Sequence, residues 1–210
     1  MRVFAIICTR EPTINSNLRG FCDKLKSCGV NVKVLASQPS IFSAYDRGLS
    51  ICGAENEDVI IFCHDDIQIR NPNADILALL TKCLDPTVGI VGPAGTAKLL
   101  DNCVWWDRSN QENLRGRVWH VTTREVQSSI KETSTINQMY ETVYGEFGPV
   151  VALDGLFLAA RKEVWDMVGL SKPDYLVGLW DFYDIHYTIT SHLLGFTNYA
   201  LPFDIVHASS

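Results

Sequence analysis

Apolar positions in the first third of the chain come in short runs, separated by polar turns and by segments of helical period. Residues 3–8, Val-Phe-Ala-Ile-Ile-Cys, read as a first strand. Asn15 is placed to cap a helix reaching residue 28, with Leu18, Phe21, Cys22 and Leu25 on one face and Gly29 as its stop. Residues 31–36 alternate apolar and polar and read as a second strand, and 41–53 as a second helix. The run Val59-Ile-Ile-Phe-Cys63 is unbroken, as in a strand buried on both faces. This β-α-β-α-β order predicts a parallel, right-handed, Rossmann-like sheet.

Further on, 73–84 reads as a helix and 88–91 as a strand closed by Gly92-Pro93. Residues 150–160 form a second apolar run, interrupted by Asp154-Gly155. A short helix over 161–168 stops at Gly169, a longer one over 181–194 stops at Gly195, and 197–201 is a final strand. Residues 95–148 show little period. Two readings of them stand, a long functional insertion or a partly mobile segment. Within this stretch Trp105 and Trp106 either stack on sugars or bases, or fill the second face of the sheet.

Composition narrows the classes. The 210 residues suffice for one large domain with an ample core. The chain is 47% hydrophobic and 20% charged, ordinary for a globular protein. Its net charge of −6, with Lys and Arg scattered, gives no basic face for a nucleic-acid backbone. No apolar stretch approaches the roughly 18 residues that span a bilayer, and the N-terminus lacks a signal-peptide pattern. Seven cysteines, at 8, 22, 28, 52, 63, 83 and 103, contain no Cys-x-x-Cys pair. They read as buried free thiols in a reducing, cytoplasmic setting, not as a zinc site.

Candidate chemistry sits at the carboxyl end of the 59–63 strand, where ligands bind in open α/β sheets. His64, Asp65 and Asp66 follow it directly. Adjacent carboxylates repel unless a cation lies beside them, and a hard divalent ion with oxygen ligands removes that cost. The plain alternative is a solvated turn. No Gly-x-Gly-x-x-Gly follows the first strand, so dinucleotide binding is disfavoured. Asp181 and Asp184 are three apart, which places them on one face near a helix N-terminus. There they either do chemistry or simply complement the helix dipole.

Four segments together resemble one family. They are Ser43-Ala-Tyr-Asp46-Arg47-Gly48-Leu49, the strand ending in His64-Asp65-Asp66, the stretch from Leu153-Asp154-Gly155 to Gly169, and Tyr183-Asp184 with a terminal Val206-His207. In order and spacing they are similar to family-two-like GT-A nucleotide-sugar glycosyltransferases, and in particular to the N-terminal domains of large chlorovirus enzymes. The resemblance covers most of the chain outside 95–148. It implies a single GT-A domain over 1–210, a Rossmann-like, mostly parallel central sheet flanked by helices, with a second small sheet region on the acceptor side. Residues 1–94 are the nucleotide-sugar half, 95–148 a variable insertion and 149–210 the acceptor half.

By that resemblance, a hexose or deoxyhexose of glucose or rhamnose type moves from a UDP-sugar to a glycan hydroxyl with inversion, assisted by Mn2+ or Mg2+. Asp66 is the first metal ligand, with His207 and His64 as further candidates. Thr9, Arg10 and Glu11 border the base and ribose, Asp65 holds the ribose hydroxyls, and Asp154 binds the donor sugar or acceptor hydroxyls. Arg47 reaches the diphosphate or is merely solvated on its helix. Asp184 is the base, with Asp181 in reserve, and Trp105, Trp106 and Trp180 offer apolar faces to sugar rings. Two departures stand out. The family's Asp-x-Asp reads His64-Asp65-Asp66, and its Glu-Asp element reads Tyr183-Asp184. A cytoplasmic setting, the host's if the chain is viral, is expected, with further domains following residue 210. The rivals are a sugar-nucleotide nucleotidyltransferase and a non-catalytic sugar-binding module. Thr9-Arg10-Glu11-Pro12 offers neither the glycines nor the positive charge that the first rival brings.

Overall fold

The computed structural model describes residues 1–127 and 133–208. Its first third follows the sequence pattern closely. Strand β1 (Val3–Cys8), helix α1 (Ser16–Ser27), strand β2 (Asn31–Leu35), helix α2 (Ile41–Ile51) and strand β3 (Val59–Cys63) come in that order. Asn15 caps α1 by accepting from the Leu18 N–H at 2.8 Å, and Ser40 does the same for α2 through Ser43 at 3.0 Å. Strand β1 pairs in parallel with both β2 and β3. All five residues of β3 are buried, as an interior strand requires.

After β3 the chain makes β4 (Ile67–Ile69), α3 (Asn73–Leu80), β5 (Val88–Gly92) and β6 (Ala94–Thr96). Two long strands follow, β7 (Leu114–Gln127) and β8 (Thr133–Gly145). Then come β9 (Gly148–Val150), β10 (Ala152–Leu153), β11 (Phe157–Arg161), α4 (Lys162–Val168), α5 (Tyr183–Leu193), β12 (Thr197–Ala200) and β13 (Ile205–His207).

The central sheet has seven strands in the order β2-β1-β3-β11-β5-β12-β9. Five run one way, while β11 and β9 run against them. Its two faces are covered by separate apolar cores. One core gathers Leu18, Phe21 and Leu25 of α1 with Ile76 and Leu80 of α3. The other gathers Phe42 and Tyr45 of α2 with Trp165 of α4 and Tyr187 of α5. Trp165 is fully buried and donates its indole N–H to the Ile60 carbonyl at 3.1 Å. Replacing such a side chain by alanine costs about 3–5 kcal/mol. Six of the seven free cysteines are buried, as their placement in apolar runs implied, and burial pushes the Cys8 and Cys83 thiols up to about 12.

The second sheet, β10-β6-β7-β13-β4 with β8 on β7, is larger than the small region expected. Much of it comes from 95–148, the stretch that supplies β7 and β8. The period was masked by what occupies the inward positions of β7. Leu114, Gly116 and Val118 are buried and Arg115 and Arg117 less so, so the strand does alternate. But Gly116 carries no apolar signal, and His120 takes the next inward place. Glycine is needed at 116 because φ is +84° and a Cβ would meet the Pro93 carbonyl oxygen. The tryptophan pair divides. Trp105 is buried against Tyr144, with ring centroids 4.9 Å apart, while Trp106 is 54% exposed. Among the described residues no helix is long and apolar enough to cross a membrane.

Candidate active site

Strand β3 ends at Cys63, and the chain crosses from the first sheet to the second through His64-Asp65-Asp66 before entering β4. The polar triplet therefore lies in the seam between the sheets. Strand β13 runs antiparallel to β4 with His207 opposite Ile67, which delivers His207 to the same seam. Its Nε2 lies 3.2 Å from Asp66 Oδ2, and His64 Nδ1 lies 3.8 Å from Asp66 Oδ1. One potential ligand atom from each of the three residues falls within 4.8 Å of the others.

Burial would raise the Asp66 pKa, but the bond and charge of His207 outweigh it and hold the carboxyl below its ordinary value. Burial would likewise lower His207, and Asp66 instead holds it up. His64 is pushed down by burial first. Asp66 Oδ1 is buried without a hydrogen-bond partner. A buried carboxylate oxygen is costly to leave unpaired. Two imidazole nitrogens and that oxygen form a donor set suited to Mn2+, so the residues fit a divalent cation.

A second cluster faces the first. Asp154-Gly155 form the turn between β10 and β11, and Tyr183-Asp184 open α5. The Gly155 N–H donates to Asp184 Oδ2 at 3.0 Å, and the Ile185 N–H donates to Asp184 Oδ1 at 2.9 Å. The Leu156 N–H donates to Asp154 Oδ1 at 3.1 Å. The Tyr183 hydroxyl donates to the Gly155 carbonyl at 2.9 Å and lies 2.6 Å from His64 Nε2. A Cβ at residue 155 would strike that hydroxyl and come within 3.1 Å of Asp184 Cβ, so only glycine fits. Burial, then the charge of Asp184, pushes Asp154 up to about 7. Burial pushes Asp184 up to about 6 against the backbone N–H groups that pull it down.

A cavity of about 490 Å3 opens beside the first cluster, lined among others by Arg10, Glu11, Asp65, Asp66, Trp180 and His207. The Arg10 guanidinium sits over the Trp180 ring at 4.3 Å, closing one side. Thr9 is buried just below, and its hydroxyl accepts from the Glu11 N–H at 3.1 Å, shaping that loop. Asp65 and Asp66 part as extended backbone implies. Asp65 lies near Cys8 of β1, and Asp66 turns to β13.

Two expected residues lie elsewhere. Arg47 is on the exposed face of α2 and does not line the cavity. Asp181 shares no helix face with Asp184, because α5 begins only at Tyr183. Phe182 intervenes in the left-handed conformation, φ 57°, a turn that breaks the helical repeat. Asp181 remains close enough to Asp184 to add to its raised pKa.

One neighbour was not foreseen. His120 is in register with His207 across β7 and β13, with ring centroids 6.0 Å apart, and stacks on Tyr140 at 5.2 Å. A lone histidine in a stretch without apparent period gave no signal.

A family model described as "Glycosyltransferase like family" matches residues 23–198. No curated protein is similar to the chain. Among solved structures, A197 from STIV superposes with a TM-score of 0.51 at 12% identity, covering 96% of this chain and 82% of that one. GalNAc-T7 with UDP, GalNAc and Mn2+ superposes at 0.59 with 11% identity, covering 99% of this chain and 43% of that one. At such identities these two likenesses speak for the fold, a GT-A-like arrangement of a central sheet flanked by helices.

Proposed function

The chain belongs to a glycosyltransferase-like family, and from that premise we propose that it transfers a hexose or deoxyhexose from a UDP-sugar to a glycan hydroxyl, with inversion and with a divalent cation. The observation that carries this reading is the meeting of His64, Asp66 and His207 in the seam, with Asp66 Oδ1 buried and unpaired. A second support is that the similar fold of GalNAc-T7 was solved with UDP, GalNAc and Mn2+.

Asp66, His64 and His207 would hold the cation. When bound, a cation there stabilises the charge that develops on a departing diphosphate. Arg10 is the guanidinium at the cavity and takes the diphosphate-facing role that Arg47, on the outside of α2, does not reach. Asp65 holds ribose hydroxyls, Thr9 and Glu11 border the base, and Trp180 offers its face to a sugar ring. Asp154 accepts from hydroxyls of the donor sugar or the acceptor. Asp184 takes the proton of the acceptor hydroxyl as it attacks. With a pKa of about 6 it is largely ionised at neutral pH and still basic enough for the task. Asp181, exposed and outside the helix, supplies negative charge nearby and is not the base.

Calorimetric titration of UDP with Mn2+, and again with EDTA, tests this directly. Metal-dependent UDP binding is expected, and the tightest of a panel of UDP-sugars names the donor. No UDP binding in either condition would overturn the proposal.

A further inference from the structure

We propose that Tyr183 is a positioning residue. Its hydroxyl fixes the tautomer of His64 so that the Nδ1 lone pair faces Asp66 and is free to take a metal ion. The inference rests on the cation site proposed above and adds a residue that acts on it from outside.

Proton counting carries it. A tyrosine hydroxyl has one proton to give, and a carbonyl oxygen can only accept. The Tyr183 hydroxyl lies 2.9 Å from the Gly155 carbonyl and 2.6 Å from His64 Nε2. If its proton goes to the carbonyl, His64 Nε2 must carry the hydrogen and donate to the tyrosine oxygen. The reverse arrangement leaves the buried contact with Gly155 as two facing oxygens, with no proton between them. On the other side of the ring, Nδ1 stands 3.8 Å from Asp66 Oδ1, too far for a hydrogen bond that would fix a proton there. The neutral imidazole therefore presents a free Nδ1 lone pair toward Asp66, as a metal-binding histidine with an oriented far nitrogen does.

The ring is held for this task. Tyr183 is buried, edge-on to Phe42 and Tyr45 with centroids at 6.4 and 5.8 Å. Gly155 leaves room for the hydroxyl where any Cβ would collide with it. The Gly155 N–H in turn donates to Asp184 Oδ2 at 3.0 Å. One peptide unit thus ties the orientation of the metal-facing histidine to the placement of the proposed base.

The test uses the full chain with its histidines labelled by 15N, and Tyr183→Phe, which keeps the ring and removes only the hydroxyl. In metal-free wild-type protein the His64 signals, assigned by their loss in His64→Ala, should show hydrogen on Nε2 and none on Nδ1. Hydrogen on Nδ1 would overturn the proposal. Tyr183→Phe should mix the tautomers and weaken Mn2+ binding by about 10- to 100-fold, the usual cost of losing a metal ligand's outer partner. In the His64→Ala background the same change should have no further effect on Mn2+ affinity. An equal loss in both backgrounds, or none in either, would overturn the positioning role while leaving the cation site standing. Failure of the wild-type chain to bind Mn2+ at all would overturn the cation site and this inference together.

Discussion

Asp66 and Asp184 lie in neighbouring clusters of one site, joined by the His64–Tyr183 contact, yet their surroundings drive them in opposite directions. Asp66 has His207 at 3.2 Å, whose bond and charge outweigh burial and hold the carboxyl below its ordinary value. Asp184 has backbone N–H groups and no cationic partner among the described residues, so burial prevails and lifts it to about 6. Asp154 beside it goes further, to about 7. The same side chain is thus made harder to protonate in one cluster and easier to protonate in the other. Pairs of titratable groups pushed apart by environment mark a division of labour between charge stabilisation and proton transfer.

The sharpest way to test that division is to neutralise each partner with little change of shape. Asp184→Asn removes the proposed proton acceptor, so transfer should fall by about 100- to 10,000-fold. UDP affinity in the presence of Mn2+ should stay within about twofold, because the change leaves the charge-holding cluster alone. Turnover that survives would remove Asp184 from the role of base. Asp66→Asn should do the opposite. Mn2+ affinity should drop by more than the roughly 10- to 100-fold typical of an outer partner, and metal-dependent UDP binding should go with it. Retained Mn2+ affinity, measured by calorimetry, would place the cation elsewhere.

The raised pair also makes a pH prediction with a definite sign. A carboxyl whose folded pKa lies above its ordinary 3.8 binds a proton more tightly folded than unfolded. Its contribution is fully present below about pH 4 and is lost as pH rises through about 6 and then about 7. In EDTA, urea denaturation should therefore show Asp154→Asn gaining on the wild type between pH 4 and pH 8, by on the order of 2–4 kcal/mol. Asp66, with its lowered pKa, contributes in the reverse sense. Its share is present above pH 4 and lost as the solution is acidified. A wild-type stability that does not decline between pH 4 and pH 8 relative to Asp154→Asn would mean that the pair is solvated in solution.

The contrast between the two sheets explains what could be read in advance. In β1 to β3 every level agrees. The strand and helix patterns are clear, Asn15 and Ser40 cap the intervening helices, and β1 pairs in parallel with both β2 and β3. Strand β7 pairs with β8, the next strand in the chain, and with β6 and β13, and two of its inward positions are Gly116 and His120. The site divides likewise. Asp66 and Asp154 follow strong apolar runs and could be placed by chain position. The placing of His207 beside Asp66 depends on β13 pairing with β4, more than a hundred residues apart. The start of α5 was misplaced by two residues because Phe182, an aromatic residue with no turn signature, takes the left-handed conformation. That displacement is what separated Asp181 from Asp184.

The smallest effect concerns the wall of the cavity, where Arg10 lies over Trp180. A cation–π contact at a partly exposed position contributes about 0.5–1 kcal/mol, so Trp180→Ala should weaken UDP binding only about two- to fivefold if its part is to hold Arg10 over the diphosphate. In that case UDP and the best UDP-sugar should lose affinity by the same factor, and in an Arg10→Ala background the loss should vanish. If Trp180 instead stacks on the transferred sugar, UDP should be unaffected and only the UDP-sugar weakened, with or without Arg10. The two patterns separate a residue serving the charged half of the donor from one serving its neutral half. They carry the contrast between the clusters outward to the donor itself, one end recognised by charge and the other by shape.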